Sequence, residues 1–478
     1  MDHLAELVLA ASQSIPLGPD EVFALFGSHR GGGWLLEAEC DSVRPGSPVT
    51  LVLPDGLLGP EPTCVLGRIV RVVQGRTIEI MHDQPWQGML RLLIRPDAAG
   101  GSSMTLTARV DQRALEWLSQ RRGWPSTQSS GESVFRIGLL TSKTGPAAVF
   151  AVASEYMAEL AIEEINADGG LHRQSVELVV ADDATNPVHA ALEAHRLIAA
   201  GCRAVIAGVT SASFAAVEDV LAASGLPVIH TVVNEGGGGS DYVLRWGERP
   251  LSQVRAASDR VMKSSGGKRW YMIGNDYRWP RGAHRAGRRA LTEAGGHVAG
   301  NQFVPLGTQD FDSVIENIER SGADCVLSTL IGSDEVAFER QVFTSGMRSK
   351  WETLSLVLEE SARERIGDEA ARGIWTSLGY FEGLDTPENR VLVRRYRERY
   401  GRWAPPLSSL SESVYEAFMI YATAVRSSSP DTPSVIRALG QVSARMPRGL
   451  VASAGPHALR QELYVARAVS DGFKIINN

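Results

Sequence analysis

Hydroxyl, aromatic and carboxylate side chains follow several predicted strands of this 478-residue chain. Such side chains can hydrogen bond a small polar molecule and hold it without reacting with it. In open α/β sheets, ligands bind in the turns at the carboxyl ends of the strands. The nine residues that we single out as candidate ligand contacts are Ser142, Thr144, Thr210, Ser211, His230, Thr231, Tyr277, Trp279 and Glu359.

The turn at 275–281, Asn-Asp-Tyr-Arg-Trp-Pro-Arg, is the strongest of these candidates. A short apolar strand at 270–273 leads into it, and the pattern predicts a helix with Pro280 at its first position, where a missing N–H costs little. A small planar ligand such as an amide buries well between aromatic faces, and the Tyr277 hydroxyl adds a directional hydrogen bond. The alternative for Trp279 is packing at an interface between lobes.

The hydroxyl candidates each have a simpler structural interpretation beside the functional one. Ser142 and Thr144 follow the first strand of the α/β pattern, where they either line a cleft or form a plain turn. Thr210 and Ser211 precede a helix, so N-capping fully explains one of them. A helix N-terminus can also present its N–H groups to an acceptor on a ligand.

The remaining candidates are two residues at a strand end and one carboxylate. His230 and Thr231 are either ligand contacts or, in the case of the histidine, a buried residue with its hydrogen bonds satisfied. Glu359 could receive an amino group or urea N–H donors, or belong to a solvated loop. No set of acid, base and nucleophile accompanies them, so we predict neither an enzyme nor a cofactor.

Composition excludes several other classes of function. A net charge of −7 argues against nucleic acid as a direct partner. The four cysteines are scattered, so we predict no metal site. No apolar run is long enough to span a membrane. The first residues lack a basic region followed by an apolar run, which predicts a cytoplasmic protein, or a periplasmic one if a leader is missing from the sequence.

The chain divides into two domains and a linker. Residues 121–133 are rich in Ser and Gly and predict a flexible linker. Residues 1–120 alternate as in an antiparallel sheet, with helices predicted at 19–26 and 112–120. Residues 134–478 alternate between strand and helix, which predicts parallel sheets. Their length favours two interleaved lobes with a cleft between them.

The first domain resembles the polyketide-cyclase and START-like superfamily, the SRPBCC group. The resemblance rests on the segments 15–16 and 20–23, on Arg44-Pro45-Gly46, on 67–70 and on 85–88. It implies an α+β helix-grip fold around an apolar cavity. The superfamily includes enzymes and lipid carriers, so the fold alone decides no function.

The second domain resembles type I periplasmic binding proteins of the branched-chain amino acid, amide and urea group. The matching segments are 138–146, 161–170, 181–183, 208–211, 274–281, 305–311 and 469–473. The turn at 276–281 is most similar to urea-binding proteins and to the cytoplasmic amide sensor of amidase operons. The resemblance implies two Rossmann-like lobes that close on a small ligand by a hinge motion.

These observations predict a non-enzymatic protein that binds a short amide, urea or an amino acid in an interlobe cleft. It would act as an ABC-transporter-type substrate-binding protein or as a cytoplasmic amide sensor. Its expected partners are the ligand, a regulatory protein or an ABC permease, and a second copy of itself in a homodimer. The alternative is an enzyme or a carrier of apolar ligands that acts through the N-terminal domain, with the binding domain as its regulator.

Overall fold

The structure is a computed structural model, and it describes residues 7–27, 37–53, 63–84, 87–97, 100–110, 134–237, 240–455 and 458–476. Its internal contacts divide the chain into two compact units, Met1–Gly131 and Glu132–Asn478. That division lies inside the segment 121–133, which we predicted to be a linker. The linker itself and the helix predicted at 112–120 lie outside the described residues.

The first unit is an antiparallel sheet of seven strands with one described helix. The sheet has the order β1-β7-β6-β5-β4-β3-β2. The strands are β1 (Leu7–Ile15), β2 (Glu37–Glu39), β3 (Pro48–Leu53), β4 (Thr63–Val73), β5 (Thr77–His82), β6 (Gly88–Pro96) and β7 (Ser102–Val110). The alternating runs 49–53, 64–73, 77–81, 89–94 and 104–110, which predict strands, correspond to β3–β7, and the structure adds two more strands.

The helix α1 (Pro19–Leu25) confirms the prediction at 19–26. Pro19 occupies its first position, and the Glu21 carboxylate accepts a hydrogen bond from the N–H of Gly18 at 2.9 Å. Val22 and Phe23 are buried in an apolar cluster with strand residues such as Ile69. Burial of one helix face therefore fixes α1 against the sheet.

The second unit begins with a parallel sheet of the order β12-β11-β10-β8-β9. Its strands are β8 (Phe135–Thr141), β9 (Val176–Asp182), β10 (Val205–Gly208), β11 (Val228–His230) and β12 (Val243–Arg245). The helices between these strands are α2 (Ala151–Ala167), α3 (Pro187–Ala199) and α4 (Ser211–Ala223). This sheet and its helices form lobe 1. Three helices from the C-terminal part of the chain, at 387–400, 409–427 and 432–439, also belong to lobe 1.

The next sheet, of the order β14-β13-β15-β16-β17-β21-β22, forms lobe 2. Its first five strands are β13 (Arg269–Asn275), β14 (His297–Val304), β15 (Cys325–Thr329), β16 (Glu352–Ser355) and β17 (Trp375–Leu378). The helices are α5 (Pro250–Ser265), α6 (Arg278–Glu293), α7 (Asp312–Ser321), α8 (Gly332–Thr344), α9 (Glu360–Ile366) and α10 (Asp368–Ala371). The parallel strands of these two sheets confirm the predicted two-lobed α/β fold.

The C-terminal part of the chain contributes to both lobes. It contains α11 (Pro387–Tyr400), α12 (Ser409–Ser427), α13 (Thr432–Leu439), a small sheet of β18 (Ser443–Met446), β19 (Gly449–Ser453) and β20 (Leu459–Arg460), and the hairpin β21 (Tyr464–Val469) and β22 (Gly472–Ile476). Helix α12 packs on α2 of lobe 1, whereas β21 pairs antiparallel with β17 of lobe 2. The chain therefore crosses between the lobes three times.

Local sequence signals explain where several helices begin. The Asn186 side chain caps α3 by accepting from the N–H of Val188 at 2.8 Å, with Pro187 at the first position. Helix α6 begins at Arg278, two residues before the predicted start, so Pro280 is its third residue. The N–H groups of the whole first turn have no partner within a helix, so proline fits there equally well.

Candidate functional site

Lobe 1 presents the ends of three neighbouring strands at one edge. Thr141 pairs with Gly208, and Ala207 pairs with His230, so the residues that follow β8, β10 and β11 lie side by side. This register places the candidates Ser142, Thr210, Ser211 and Thr231 on the same edge of the sheet. The contact of these residues with a ligand stays a prediction.

Ser211 is the first residue of α4 and is buried. Its hydroxyl makes no hydrogen bond to any residue in the described part of the chain. Its neighbour Thr210 is the N-cap, and the Thr210 hydroxyl accepts from the N–H of Ser213 at 3.3 Å. The Thr210 hydroxyl therefore caps the helix, whereas the Ser211 hydroxyl at the helix N-terminus has no partner among the described residues.

Ser142 and Thr144 lie beside two aspartates at the carboxyl end of β9, Asp182 in the strand and Asp183 after it. Thr144 donates its hydroxyl to Asp182 at 2.9 Å, which ties the turn after β8 to the neighbouring strand. Asp183 is fully buried, and this burial raises its pKa to about 6. Thr144 thus has a structural task in this turn, whereas the buried Ser142 hydroxyl makes no hydrogen bond to a described residue.

His230 is a buried neutral histidine. Its Nε2 lies 2.8 Å from the carbonyl oxygen of Val209, and its ring stacks on Phe214 with 4.1 Å between centroids. Burial lowers its pKa to about 3, so it carries no charge at neutral pH. The next residue, Thr231, donates its hydroxyl to the Ala207 carbonyl at 3.4 Å, which is a long hydrogen bond.

On lobe 2, the two aromatic candidates lie at the beginning of α6. Tyr277 is the N-cap residue and is half-buried; burial raises its pKa, and the carboxylates of Glu235 and Asp334 raise it further. Trp279 is 1% exposed and belongs to the large apolar cluster of the unit. Its indole N–H has no hydrogen-bond acceptor among the residues that the structure describes.

Glu359 is the N-cap of α9 and not part of a solvated loop. Its carboxylate accepts from the N–H groups of Ser361 at 3.0 Å and Ala362 at 2.6 Å. The side chain is fully buried, which raises its pKa to about 7 although these two hydrogen bonds act in the opposite direction. Both carboxylate oxygens already have donors, so the capping role accounts for this residue.

The two lobes touch each other across the cleft. Helix α4 of lobe 1 contacts α6 of lobe 2. The Glu235 carboxylate, from the segment after β11, forms an ion pair of 2.5 Å with Arg278. A Cβ atom added to Gly332, at the start of α8, would lie 2.0 Å from the carbonyl oxygen of Pro146 in lobe 1. The structure therefore shows a closed arrangement.

The three crossings between the lobes meet at one buried arginine. Arg448 donates from Nε to the Glu412 carboxylate at 2.7 Å, and it forms ion pairs of 3.1 Å with Glu416 and 3.7 Å with Glu248. Glu248 in turn accepts from the N–H of Gly379 at 2.8 Å. We call Glu248, Glu412, Glu416 and Arg448 the hinge cluster, because Glu248 and Arg448 lie in two of the crossings and Glu248 hydrogen bonds to Gly379 in the third.

The hinge cluster makes stability depend on pH. Three buried carboxyl groups face one guanidinium, and burial raises the pKa of Glu416 from 4.5 to about 8. The folded protein therefore holds a proton that the unfolded chain releases, and this contribution to stability is lost as the pH rises from 4.5 to 8. We expect Glu416→Gln to reduce that loss, measured by urea unfolding at pH 5, 6.5 and 8. If the free energy of unfolding falls equally with pH in the variant and the wild type, this role of Glu416 is contradicted.

Seven residues at the cleft and hinge were missed by the sequence analysis: Glu235, Glu248, Arg278, Gly332, Glu412, Glu416 and Arg448. Arg278 lies within the turn that the sequence singled out, and Glu235 precedes a run of glycines at 236–239. Nothing in the local sequence marks Gly332 or Arg448, because their partners lie far away along the chain.

Among the residues that the structure covers, no three His, Cys, Asp or Glu side chains are placed to hold a metal ion together. Within the described ranges, no helix combines the length and the apolar character needed to cross a bilayer.

The family model and the curated relatives that match this chain are all binding proteins. The family model described as "Periplasmic binding protein" matches residues 134–473. The chain is 27% identical over 216 residues to the Leu/Ile/Val-binding protein homolog 3 of Brucella melitensis, which is 45% of this chain and 59% of that protein. The chain spans just over half the length of the first curated relatives that it matches.

Two solved structures share the fold of the second unit. One is a solute-binding protein of an ABC transporter from R. palustris in complex with benzoate, with a TM-score of 0.63 and 20% identity over 72% of this chain and 96% of that one. The other is a branched-chain amino acid transporter substrate-binding protein from Streptococcus pneumoniae in complex with isoleucine, with a TM-score of 0.65 and 18% identity over 72% of this chain and all of that one. At this identity they show the fold alone.

Proposed function

Because this chain belongs to the periplasmic binding protein family, we propose that residues 134–473 bind a small solute between the two lobes without transforming it. One observation carries the proposal. Each lobe offers a buried polar group without a partner in the described structure, the Ser211 hydroxyl on lobe 1 and the Trp279 indole N–H on lobe 2. Both groups lie in the first turn of a helix that follows a strand, and these two helices contact each other.

The chemistry of the lobe 1 edge favours a solute with a carboxylate. The N-terminus of α4 offers backbone N–H groups beside the Ser211 hydroxyl, and helix N-termini stabilise negative charge. The relatives and structural neighbours are named for branched-chain amino acids or bound to benzoate and isoleucine. We therefore place an apolar amino acid or an aromatic acid ahead of the short amides and urea that the sequence suggested.

Isothermal titration calorimetry tests this function directly. Isoleucine, leucine, benzoate, acetamide and urea are titrated into the full-length protein, and at least one of the three carboxylates is expected to bind. Ser211→Ala is expected to weaken that binding by about 10-fold or more, since a hydrogen bond to a charged group contributes about 1.5–3 kcal/mol. The control is Ser224→Ala at the other end of α4, where the exposed hydroxyl bonds only to the Leu221 carbonyl.

Two results would contradict this assignment. If folded protein gives no heat with any of the five solutes, the amino-acid and aromatic-acid proposal fails. If Ser211→Ala and Ser224→Ala have the same affinity as the wild type, the lobe 1 edge is not where the carboxylate binds. Preference for acetamide or urea would return the assignment to the amide and urea group that the aromatic turn first suggested.

The biological role that we propose is that of a transport receptor, which hands its solute to an ABC permease in the periplasm. The family description and the transporter neighbours support this role over the cytoplasmic sensor that we first expected. Fractionation of the source cells with an antibody against this protein tests it. Recovery with cytoplasmic markers, together with binding to a regulatory protein, would favour the sensor instead.

A second candidate function concerns the first unit. We propose that residues 1–120 form a helix-grip domain, which the order of its seven strands and the position of α1 after β1 support. A crystal structure of the whole protein is expected to show a helix at 112–120 packed on this sheet. An extended or detached 112–120 segment would contradict the helix-grip assignment, and with it the alternative of a carrier or enzyme acting through this domain.

A further inference from the structure

A cavity of about 810 Å³ lies in the second unit away from the nine candidate residues, none of which lines it. Its walls come from α11, α12, α13 and β18, with Glu164 of α2 at one end. Small-molecule sites in proteins have volumes of about 300–1,000 Å³, so the cavity has the size of a ligand site. It is separate from the strand ends that form the interlobe cleft.

The wall of this cavity is divided about evenly between polar and apolar groups, and the apolar part is a cluster of aliphatic and methionine side chains. Leu392, Ile420 and Met446 are buried, Met419 is half-buried, and Val391 keeps 45% of its surface exposed although it is apolar. Methionine side chains adapt to ligands of different shapes. Covering Val391 and its neighbours would remove apolar surface from water, which favours a ligand with an apolar body.

The charged groups of the cavity indicate the other end of that ligand. Glu164 is already neutralised, since it forms an ion pair with Arg395 and accepts from the Tyr415 hydroxyl at 2.5 Å. Glu388 lies in the first turn of α11, where the helix dipole stabilises its negative charge. Arg445 is exposed and forms no ion pair with a described residue. Neither Glu388 nor Arg445 has an ion-pair partner among the described residues; because the helix dipole already stabilises Glu388, the Arg445 guanidinium is the charge that an anionic ligand group could neutralise.

The cavity also adjoins the hinge cluster. Helix α12 carries Tyr415 and Met419 into the cavity, and the same helix carries Glu412 and Glu416 to Arg448. Met446 and Pro447 line the cavity and immediately precede Arg448. A ligand that fills the cavity contacts both segments that hold the buried arginine, so it can restrain the crossings between the lobes.

We propose that this cavity is a second ligand site, which takes a small carboxylic acid with an apolar body, held by Arg445, and regulates the cleft through the hinge cluster. The binding claim stands independently of the cleft. The regulatory claim rests on the proposed function, because it requires a solute whose affinity can change. By linkage, each ligand must alter the affinity of the other by the same factor.

Titration of octanoate into the full-length protein tests the site, with octanamide and octylamine as the neutral and cationic analogues. Octanoate is expected to bind at least 10-fold more tightly than either analogue. Arg445→Gln removes the proposed partner and should weaken octanoate at least 5-fold, while Arg437→Gln, an exposed arginine on α13 outside the cavity, should leave it unchanged. Met419→Trp fills the cavity and should abolish binding.

The outcomes separate the two proposals. Ser211→Ala should leave octanoate binding intact, so loss of octanoate in that variant would show that the acid binds in the cleft and would overturn the second site. Equal binding of the three analogues, or of the Arg445→Gln and Arg437→Gln variants, would also overturn it. Saturating octanoate is expected to change the affinity of the cleft solute at least 3-fold, and an unchanged affinity would overturn the regulatory claim.

Discussion

Replacing Arg448 with methionine is expected to destabilise the second unit by about 3–5 kcal/mol, the range for breaking a buried ion pair by removing one partner. Arg448 is 1% exposed, and Glu248, Glu412 and Glu416 are all at most 3% exposed. Methionine fills a similar volume and supplies no charge. The three carboxyl groups would then lie buried without a counter-charge, and those that are still ionised would have to take up a proton or reach water.

Urea unfolding followed by tryptophan fluorescence at pH 7 measures this change. The matched control is Arg136→Met, which removes the half-exposed partner of Glu177 in a 2.9 Å ion pair on lobe 1. That variant should unfold close to the wild type, because exposed ion pairs contribute little. A loss at Arg448 no larger than the loss at Arg136 would show that the hinge cluster does not hold the lobes together. Lowering the pH to 5 should recover part of the Arg448→Met loss, since the carboxyl groups then bind protons more readily.

Gly332→Ala is the second change with a large expected effect, and it acts on affinity more than on stability. The new Cβ would lie 2.0 Å from the Pro146 carbonyl oxygen in the opposite lobe. The lobes can avoid this clash only by staying apart, so the closed arrangement becomes rare. We expect the affinity for the cleft solute to fall at least 10-fold, because apparent affinity decreases with the population of the binding-competent state.

Backbone strain must be separated from this clash. Gly332 has a φ of +56°, which an alanine adopts at a cost of about 1–2 kcal/mol. Gly346, just after the C-terminal end of α8, has a φ of +76° with no atom within 4 Å of an added Cβ. Gly346→Ala therefore introduces the backbone strain without the clash, and this variant should bind the cleft solute as tightly as the wild type. Equal affinities for the two variants would contradict a closing contact at Gly332. Small-angle scattering should show the Gly332→Ala protein more extended with saturating solute than the wild type.

The repeating α/β elements could be predicted from the sequence because their signals are local. Asn186 and Pro187 mark the beginning of α3, and the run 135–140 reads as a strand covered on both faces, as β8 proves to be. The prediction failed by two residues at α6, since proline is tolerated throughout the first helical turn. Helices α5 and α12 were not predicted from the sequence. Helix α12 is buried on most of its surface, so its sequence lacks a clear polar face.

Candidate residues for the site could be proposed from the sequence, and their contact with a ligand stays a prediction. Strand ends with polar residues identified Ser211 and Tyr277, since the carboxyl edge of a parallel sheet is a general binding position. Glu359 was expected in a cleft or a loop, yet its carboxylate caps α9 in the buried interior. The hinge cluster could not be anticipated, because it joins segments that only the tertiary fold brings together.

The three crossings between the lobes also constrain how the protein is made. Lobe 1 lacks α12 until residue 427 has been synthesised, and lobe 2 lacks β21, the partner of β17, until residue 469. Neither lobe can therefore finish folding while the ribosome is still producing the middle of the chain. The nascent chain therefore exposes an unpaired β17 edge and an uncovered α2 surface until these segments have emerged, and such an edge and surface favour pairing with other chains.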